Sequence, residues 1–168
     1  MRGRKSPLFL SMISKEKIIE LAQERIQELD NGNYLVDVNI SSKNVITVKM
    51  DNLNGGVSIE DCVSVSRNIE HNLDRDVEDF ELQVTSPGLD QPFKVDQQYQ
   101  KNIGKKISVL TLDNQFVSGE LLEFSKNFIK VKEVNTIKNK FTKKKETVEE
   151  IHLLKIGEIK ETKLIISL

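Results

Sequence analysis

The side chains that most often do chemistry are scarce in this chain. His71 and His152 are the only histidines, and Cys62 is the only cysteine. A single thiol forms no internal disulfide and no paired-thiol metal site, and neither histidine stands in a His/Cys cluster at ligand spacing. Cys62 falls on the apolar side of a helical stripe, away from the exposed, electropositive surroundings that turn a thiol into a nucleophile. Its neighbours Ser64 and Ser66 impose no triad spacing. Gly55-Gly56 lacks the further glycine, lysine and hydroxyl residue of a phosphate-binding loop. No Gly-x-x-Gly tetrapeptide is present to clamp an RNA backbone. The residue types therefore predict a binding protein with no catalytic residues, no cofactor and no metal site.

Charge gives the next signal. With 25 basic and 26 acidic side chains the net charge is −1, so attraction to a polyanion must come from local patches. Eight lysines lie between Lys126 and Lys145 against one acid, Glu133. Lys126, Lys130 and Lys132 recur at alternate or near-alternate positions and, beside Lys105 and Lys106, would present ammonium groups to RNA phosphates. Phe128 and Phe141 offer rings for stacking, Phe128 being better placed in a core. The lysine-rich stretch 135–146 reads as a loop, solvated in its plainest reading. Glu70, Asp74, Asp76, Glu78, Asp79 and Glu81 form an opposing acidic cluster that solvates the protein or docks a basic partner.

The elements that must position these groups follow from periodicity. Ile18, Ile19, Ala22, Ile26 and Leu29 recur at helical spacing after a Ser14 N-cap. Tyr34, Val36, Val38 and Ile40, then Ile46, Val48 and Met50, alternate as two strands of a hairpin. Ser58 and Asp61 open a second helix whose buried side is predicted as Ile59, Cys62, Val63, Ser66, Ile69 and Leu73. Phe80, Leu82 and Val84 give a third strand. The order α-β-β-α-β predicts two helices on one face of a small, mainly antiparallel sheet, a KH-like topology without the Gly-x-x-Gly loop. Beyond Pro92 a short helix near 96–101 precedes five strands near 105–112, 116–124, 128–134, 147–154 and 160–166, which suggests a small closed barrel bent at Gly119. The fold class is thus α+β, with a tail at 1–13, an α/β domain at 14–90 and an all-β domain at 91–168.

The opening Met1-Arg2-Gly3-Arg4-Lys5 with Pro7-Leu8-Phe9-Leu10 imitates a signal peptide, but its apolar part is too short. It reads as a disordered tail, with Met12 as an alternative start. No apolar run approaches the ~20 residues of a membrane span, and a cytoplasmic protein is expected.

One motif is more specific than any of these. In Val84-Thr85-Ser86-Pro87-Gly88-Leu89-Asp90-Gln91-Pro92-Phe93, Pro87 and Gly88 supply turn chemistry, with Gly88 expected at positive φ. This segment closely resembles the signature of the ribosome maturation factor RimP family, Val-Ser-Ser-Pro-Gly-Leu-Asp-Arg-Pro-Leu. The resemblance continues through Gly55–Cys62, Val65-Ser66-Arg67 and Leu73-Asp74 upstream, and through Ile103-Gly104-Lys105 and Val117–Leu121 downstream, covering about Ile18 to Leu164. Thr85 replaces the usual serine and Gln91 the usual arginine.

The resemblance implies an Sm-like or SH3-like C-terminal barrel and a non-catalytic assembly factor. Such a factor binds the free 30S small ribosomal subunit through 16S rRNA and a ribosomal protein of the decoding region, S12, acting as a monomer with no small-molecule substrate. Ser86, Pro87, Gly88, Leu89, Asp90 and Pro92 are expected to set the placement of the two domains and to offer part of the docking surface, with Arg67 pairing with Asp90 or with a partner. A general RNA-binding module resting on the barrel lysines is the rival reading, and an enzyme using Cys62 or His71 a remote third.

Overall fold

The computed structural model describes residues 13–166. The expected tail up to Met12, and the choice between Met1 and Met12 as the start, lie outside the described residues. Ile13, placed by the sequence at the end of that tail, is instead buried with the first core. It stands at N′ of helix α1 (Lys15–Leu29), five residues before the buried Ile18 at N4, the two positions of a hydrophobic staple. Ser14 caps the helix, its Oγ accepting from the Lys17 N–H at 3.1 Å. Asp30 ends it in the left-handed region, φ 44°.

The described residues divide into two compact units, one ending at Pro87 and the other beginning at Gly88. In the first, β1 (Asn33–Ile40) and β2 (Val45–Asn52) form the antiparallel hairpin, and β3 (Glu81–Thr85) pairs with β2 in parallel, giving the order β1-β2-β3. Parallel pairing needs a crossover, and helix α2 (Ile59–His71) supplies it between β2 and β3. Ile46, Val48 and Met50 on one face of β2 meet Ile18, Leu21 and Ala22 of α1 and Val65 and Ile69 of α2 in a single core.

Asn68 explains why that core keeps only part of the expected α2 stripe, Ile69 and Leu73 with Cys62 packed at its edge. Asn68 is buried, yet its Nδ2 donates to the Leu21 carbonyl at 2.8 Å and to Glu24 at 3.1 Å. A satisfied amide can enter a core, so the helix turns Val65, Asn68, Ile69 and Leu73 inward and leaves Ile59 80% and Val63 40% exposed. Arg25 of α1 strengthens the same helix pair, donating to the Ser64 carbonyl at 3.2 Å and hydroxyl at 2.9 Å.

Asp61 ties the start of α2 to the α1–β1 turn. Its Oδ2 accepts from Asn31 and Asn33 side chains at 2.8 Å each, while its own N–H donates to Ser58 Oγ at 3.1 Å. The hydrogen bonds from Asn33, Asn31 and Ser58 hold its carboxyl below the usual carboxylate range against a small desolvation cost. A lowered folded pKa stabilises the protein above the unfolded value, and that contribution is lost as pH falls through the folded value. Asp61→Ala is accordingly expected to lower stability by about 1–2 kcal/mol at neutral pH. The deficit should shrink on acidification below the ordinary carboxylate range, as read from urea unfolding at several pH values.

In the second unit, helix α3 (Asp96–Lys101) precedes β4 (Lys106–Thr111), β5 (Phe116–Phe124), β6 (Phe128–Lys138), β7 (Lys145–Lys155) and β8 (Ile159–Leu164). These make one antiparallel sheet in the order β7-β6-β5-β4-β8. β7 and β8 lie at opposite edges but are joined only by the turn Ile156–Glu158. Four Cα steps reach at most ~15 Å, whereas a flat sheet would set its edges ~19 Å apart. The sheet must therefore curl, closing over Ile107, Val109, Leu121, Ile129 and Val131, all fully buried. Tyr99 of α3 joins this core, stacked on Phe124 at 5.1 Å and bonded through its hydroxyl to Thr162 Oγ1 at 2.6 Å.

Gly119 is the pivot of the curl. A Cβ there would lie 2.2 Å from the Lys132 carbonyl oxygen on β6, so only glycine admits so close a backbone approach. Up to Lys132, β6 pairs with β5; beyond it, residues 133–138 pair with β7 alone and the two strands continue as a ribbon. Half of the stretch 135–146 read as a lysine-rich loop is thus strand, with six residues, Asn139–Lys144, left at the tip.

Candidate functional site

The exposed stripe of α2 borders a groove of ≈ 290 Å³ in the first unit, lined by Val57, Ile59, Cys62, Val63 and Ser66 on one side and Val84, Thr85 and Ser86 on the other. A second depression shares Ile59 and Val63 and adds Arg25, Glu60, Ser64 and Arg67. Two of the expected residues, Ser86 and Arg67, therefore flank one apolar helix face. Periodicity had turned Ile59 and Val63 inward with the rest of their stripe, and only the long-range partners of Asn68 reveal that it enters the core instead.

Cys62 lies in this groove but is poorly suited to nucleophilic work. Burial raises its thiol pKa, and the neighbouring Asp61 carboxylate raises it further, the reverse of the environment that favours a thiolate.

Pro87 closes the first unit, and the signature from Gly88 onward belongs to the second. Gly88 begins a turn in which its carbonyl accepts from the Gln91 N–H at 3.2 Å. Gly88 is not at positive φ, contrary to expectation. A Cβ there would lie 2.9 Å from Asp90 Oδ1, the movable end of an exposed side chain. Leu89 is 66% exposed at the turn, with Asp90 also exposed and Pro92 half-buried.

The five expected RNA-contacting lysines divide by surroundings. Lys105 and Lys126 are exposed. Lys106, Glu120 and Lys132 are register partners across β4, β5 and β6, so a carboxylate stands between two ammonium groups. Lys130 pairs with Glu123 at 3.3 Å. The acidic cluster of the first unit is likewise partly neutralised from within. Arg75 pairs with Glu70 at 2.8 Å and Asp79 at 3.2 Å, and its guanidinium sits 4.1 Å from the Phe80 ring centroid.

One cluster with metal-ligand chemistry does occur among the described residues, where the sequence predicted none. His152 Nε2 lies 3.1 Å from Glu133 Oε1 and 3.7 Å from Glu150 Oε2. Glu133 and Glu150 are direct partners across β6 and β7. Like charges so placed repel, and the imidazole relieves them as a hydrogen-bond partner. Linear spacing hides this cluster, since strand register alone brings Glu133 to His152.

The chain has well-described relatives. The family model "RimP N-terminal domain" matches residues 24–90. A Christiangramia forsetii protein named ribosome maturation factor RimP is 44% identical over 117 residues, 70% of this chain and 74% of the relative. The protein of the same name from Flavobacterium psychrophilum is 40% identical over 146 residues, 87% of this chain and 92% of its own length. The Porphyromonas gingivalis protein is 34% identical over 155 residues, covering 92% of this chain and 100% of the relative.

Proposed function

The chain belongs to the ribosome maturation factor RimP family, and on that ground we propose that it binds the free 30S small ribosomal subunit in the cytoplasm and assists its assembly without catalysing a reaction. Binding energy favours one arrangement of immature RNA and protein, and it is withdrawn once the finished subunit no longer offers that surface. No bond need be made or broken. The partners in this reading are 16S rRNA and ribosomal protein S12, and the factor acts as a monomer. No described helix is long and apolar enough to cross a membrane.

The observation that carries the reading is the open apolar face of α2 beside Ser86, with Arg67 at its rim. A pocket for a small substrate would bury most of its ligand, whereas this surface exposes Ile59 almost fully, as a docking face does. For the second unit, the curled five-stranded sheet supports an Sm-like or SH3-like barrel. The α-β-β-α-β order supports a KH-like first domain. The domains are taken as about 14–90 and 91–168, close to the division of the described residues after Pro87.

Sucrose-gradient fractionation tests the proposal. The wild-type protein is expected with free small subunits, and Asp90→Ala should weaken that association about tenfold if the turn contributes a docking contact. Migration with intact ribosomes only, or with neither, would refute the function. An unchanged Asp90→Ala would remove the turn from the site.

A further inference from the structure

The β6–β7 ribbon ends in a built turn rather than a slack loop. The Asn139 N–H donates to the Lys144 carbonyl at 2.8 Å, and the Lys143 N–H returns to the Asn139 carbonyl at 2.9 Å. Asn139 Oδ1 accepts from the N–H groups of Phe141 at 2.8 Å and Thr142 at 3.2 Å, and its Nδ2 donates to Glu146 at 3.1 Å. Lys143 takes the left-handed conformation, φ 58°. All but the Asn139–Glu146 pair engage the backbone directly, and none packs the Phe141 ring, which is 96% exposed.

Lysines dominate the charge around this ring, with Glu146, bonded to Asn139, at the base of the turn. Lys138, Lys140, Lys143, Lys144 and Lys145 stand within the eight residues 138–145 with no acid among them. Lys138 and Lys145 are direct cross-strand partners, an arrangement that costs stability in isolation and is relieved when a polyanion lies over both. The unbroken β6–β7 register also puts Lys132 and Lys138 on the same face of β6, since even-numbered residues share a side.

We propose that the tip of the β6–β7 ribbon is a second RNA-binding element, in which Phe141 stacks on an unpaired base while Lys138, Lys140, Lys143, Lys144 and Lys145 hold the flanking phosphates. Single-stranded or looped RNA is the partner that satisfies both halves of the surface. Bare positive charge would suit any polyanion, but an ordered, solvent-facing aromatic ring within it calls for a flat π-face. The inference deepens the proposed function by naming an RNA contact outside the lysines 105, 106, 126, 130 and 132, and it is tested on isolated RNA so that the two readings fail separately.

The experiment is fluorescence anisotropy of the full chain with a labelled single-stranded oligoribonucleotide of about 12 nucleotides, at about 50 and 200 mM salt. Phe141→Ala is expected to weaken binding about tenfold at both salts, leaving the salt dependence unchanged. Changing Lys140, Lys143 and Lys144 to Gln should instead lower the log–log salt slope by about 2. Phe141→Trp should bind as the wild type does, with its indole fluorescence quenched by the RNA. Circular dichroism melts of the three variants should coincide with the wild type, because the altered side chains are exposed. Wild-type affinity in Phe141→Ala overturns the proposal, as does the absence of RNA binding by the wild-type chain. Displacement of the RNA by polyglutamate or by anionic phospholipid vesicles at equal charge would overturn it too, assigning the tip to an acidic protein or a membrane surface. None of these results bears on co-sedimentation with the small subunit through the α2 face.

Discussion

Replacing Gly119 by valine is expected to destabilise the second unit by about 3 kcal/mol or more, near the upper end of overpacking substitutions. The cause is specific. The added Cβ would meet the Lys132 carbonyl oxygen at 2.2 Å and its carbon at 2.7 Å. These are backbone atoms held in register by β7, so no rotamer change can relieve the clash. Relief requires β6 to withdraw from β5 where the sheet curls. Urea unfolding followed by circular dichroism should show the loss, and tyrosine emission should report it from Tyr99, which stacks in that core. Gly157, whose added Cβ would meet nothing within 4 Å, is the matched control: its alanine variant should unfold as the wild type does. An undisturbed Gly119→Val would mean that the strands do not cross so closely.

The second large effect is expected in binding rather than stability. Changing Ile59 and Val63 together to Asp places two carboxylates on the exposed face of α2, and association with free small subunits should fall by more than about 30-fold. That corresponds to about 2 kcal/mol, the threshold of a binding hot spot. Folding should survive, since Ile59 is 80% exposed and the core residues Val65 and Ile69 are untouched. Val77→Asp, 61% exposed and outside the groove, controls for added charge. Co-sedimentation titrations would separate the outcomes, and equal binding by the double variant and the control would remove this face from the proposed site.

Much of the first unit was legible because its signals are local. Ser14 and Ser58 each sit three residues before the amide they cap, and strict alternation in Tyr34–Ile40 and Ile46–Met50 marks which side of each strand is buried. What failed was the first half of the α2 stripe, where Ile69 and Leu73 are buried as expected but Ile59 and Val63 are exposed. A pattern that counts only apolar residues rejects Asn68, although its partners at Leu21 and Glu24, more than 40 residues away in sequence, make it a core residue.

The same limitation hid the ribbon. Lysines at 138, 140 and 143–145 mask the β-branched residues Thr136 and Ile137 that carry β6 beyond its expected end, and loop composition outweighed strand propensity. The position of Gly119 was readable as a bend, whereas its reason, a carbonyl on another strand, was not. In the candidate site, Ser86 could be named from the signature and Arg67 from the upstream resemblance, but their shared apolar floor became visible only once the helix face was known.

The parallel pairing of β3 with β2 also orders events in time. β1 and β2 are separated by only four residues and can zip on the microsecond scale of a hairpin. β3 has no partner until the intervening 28 residues, 53–80, have brought it alongside β2, and closing that loop costs entropy before any contact rewards it. During synthesis the earlier hairpin can already have formed when Glu81 emerges. Docking of β3 is then the late step that completes the first sheet, and it sets the groove wall at Val84–Ser86 in the same movement.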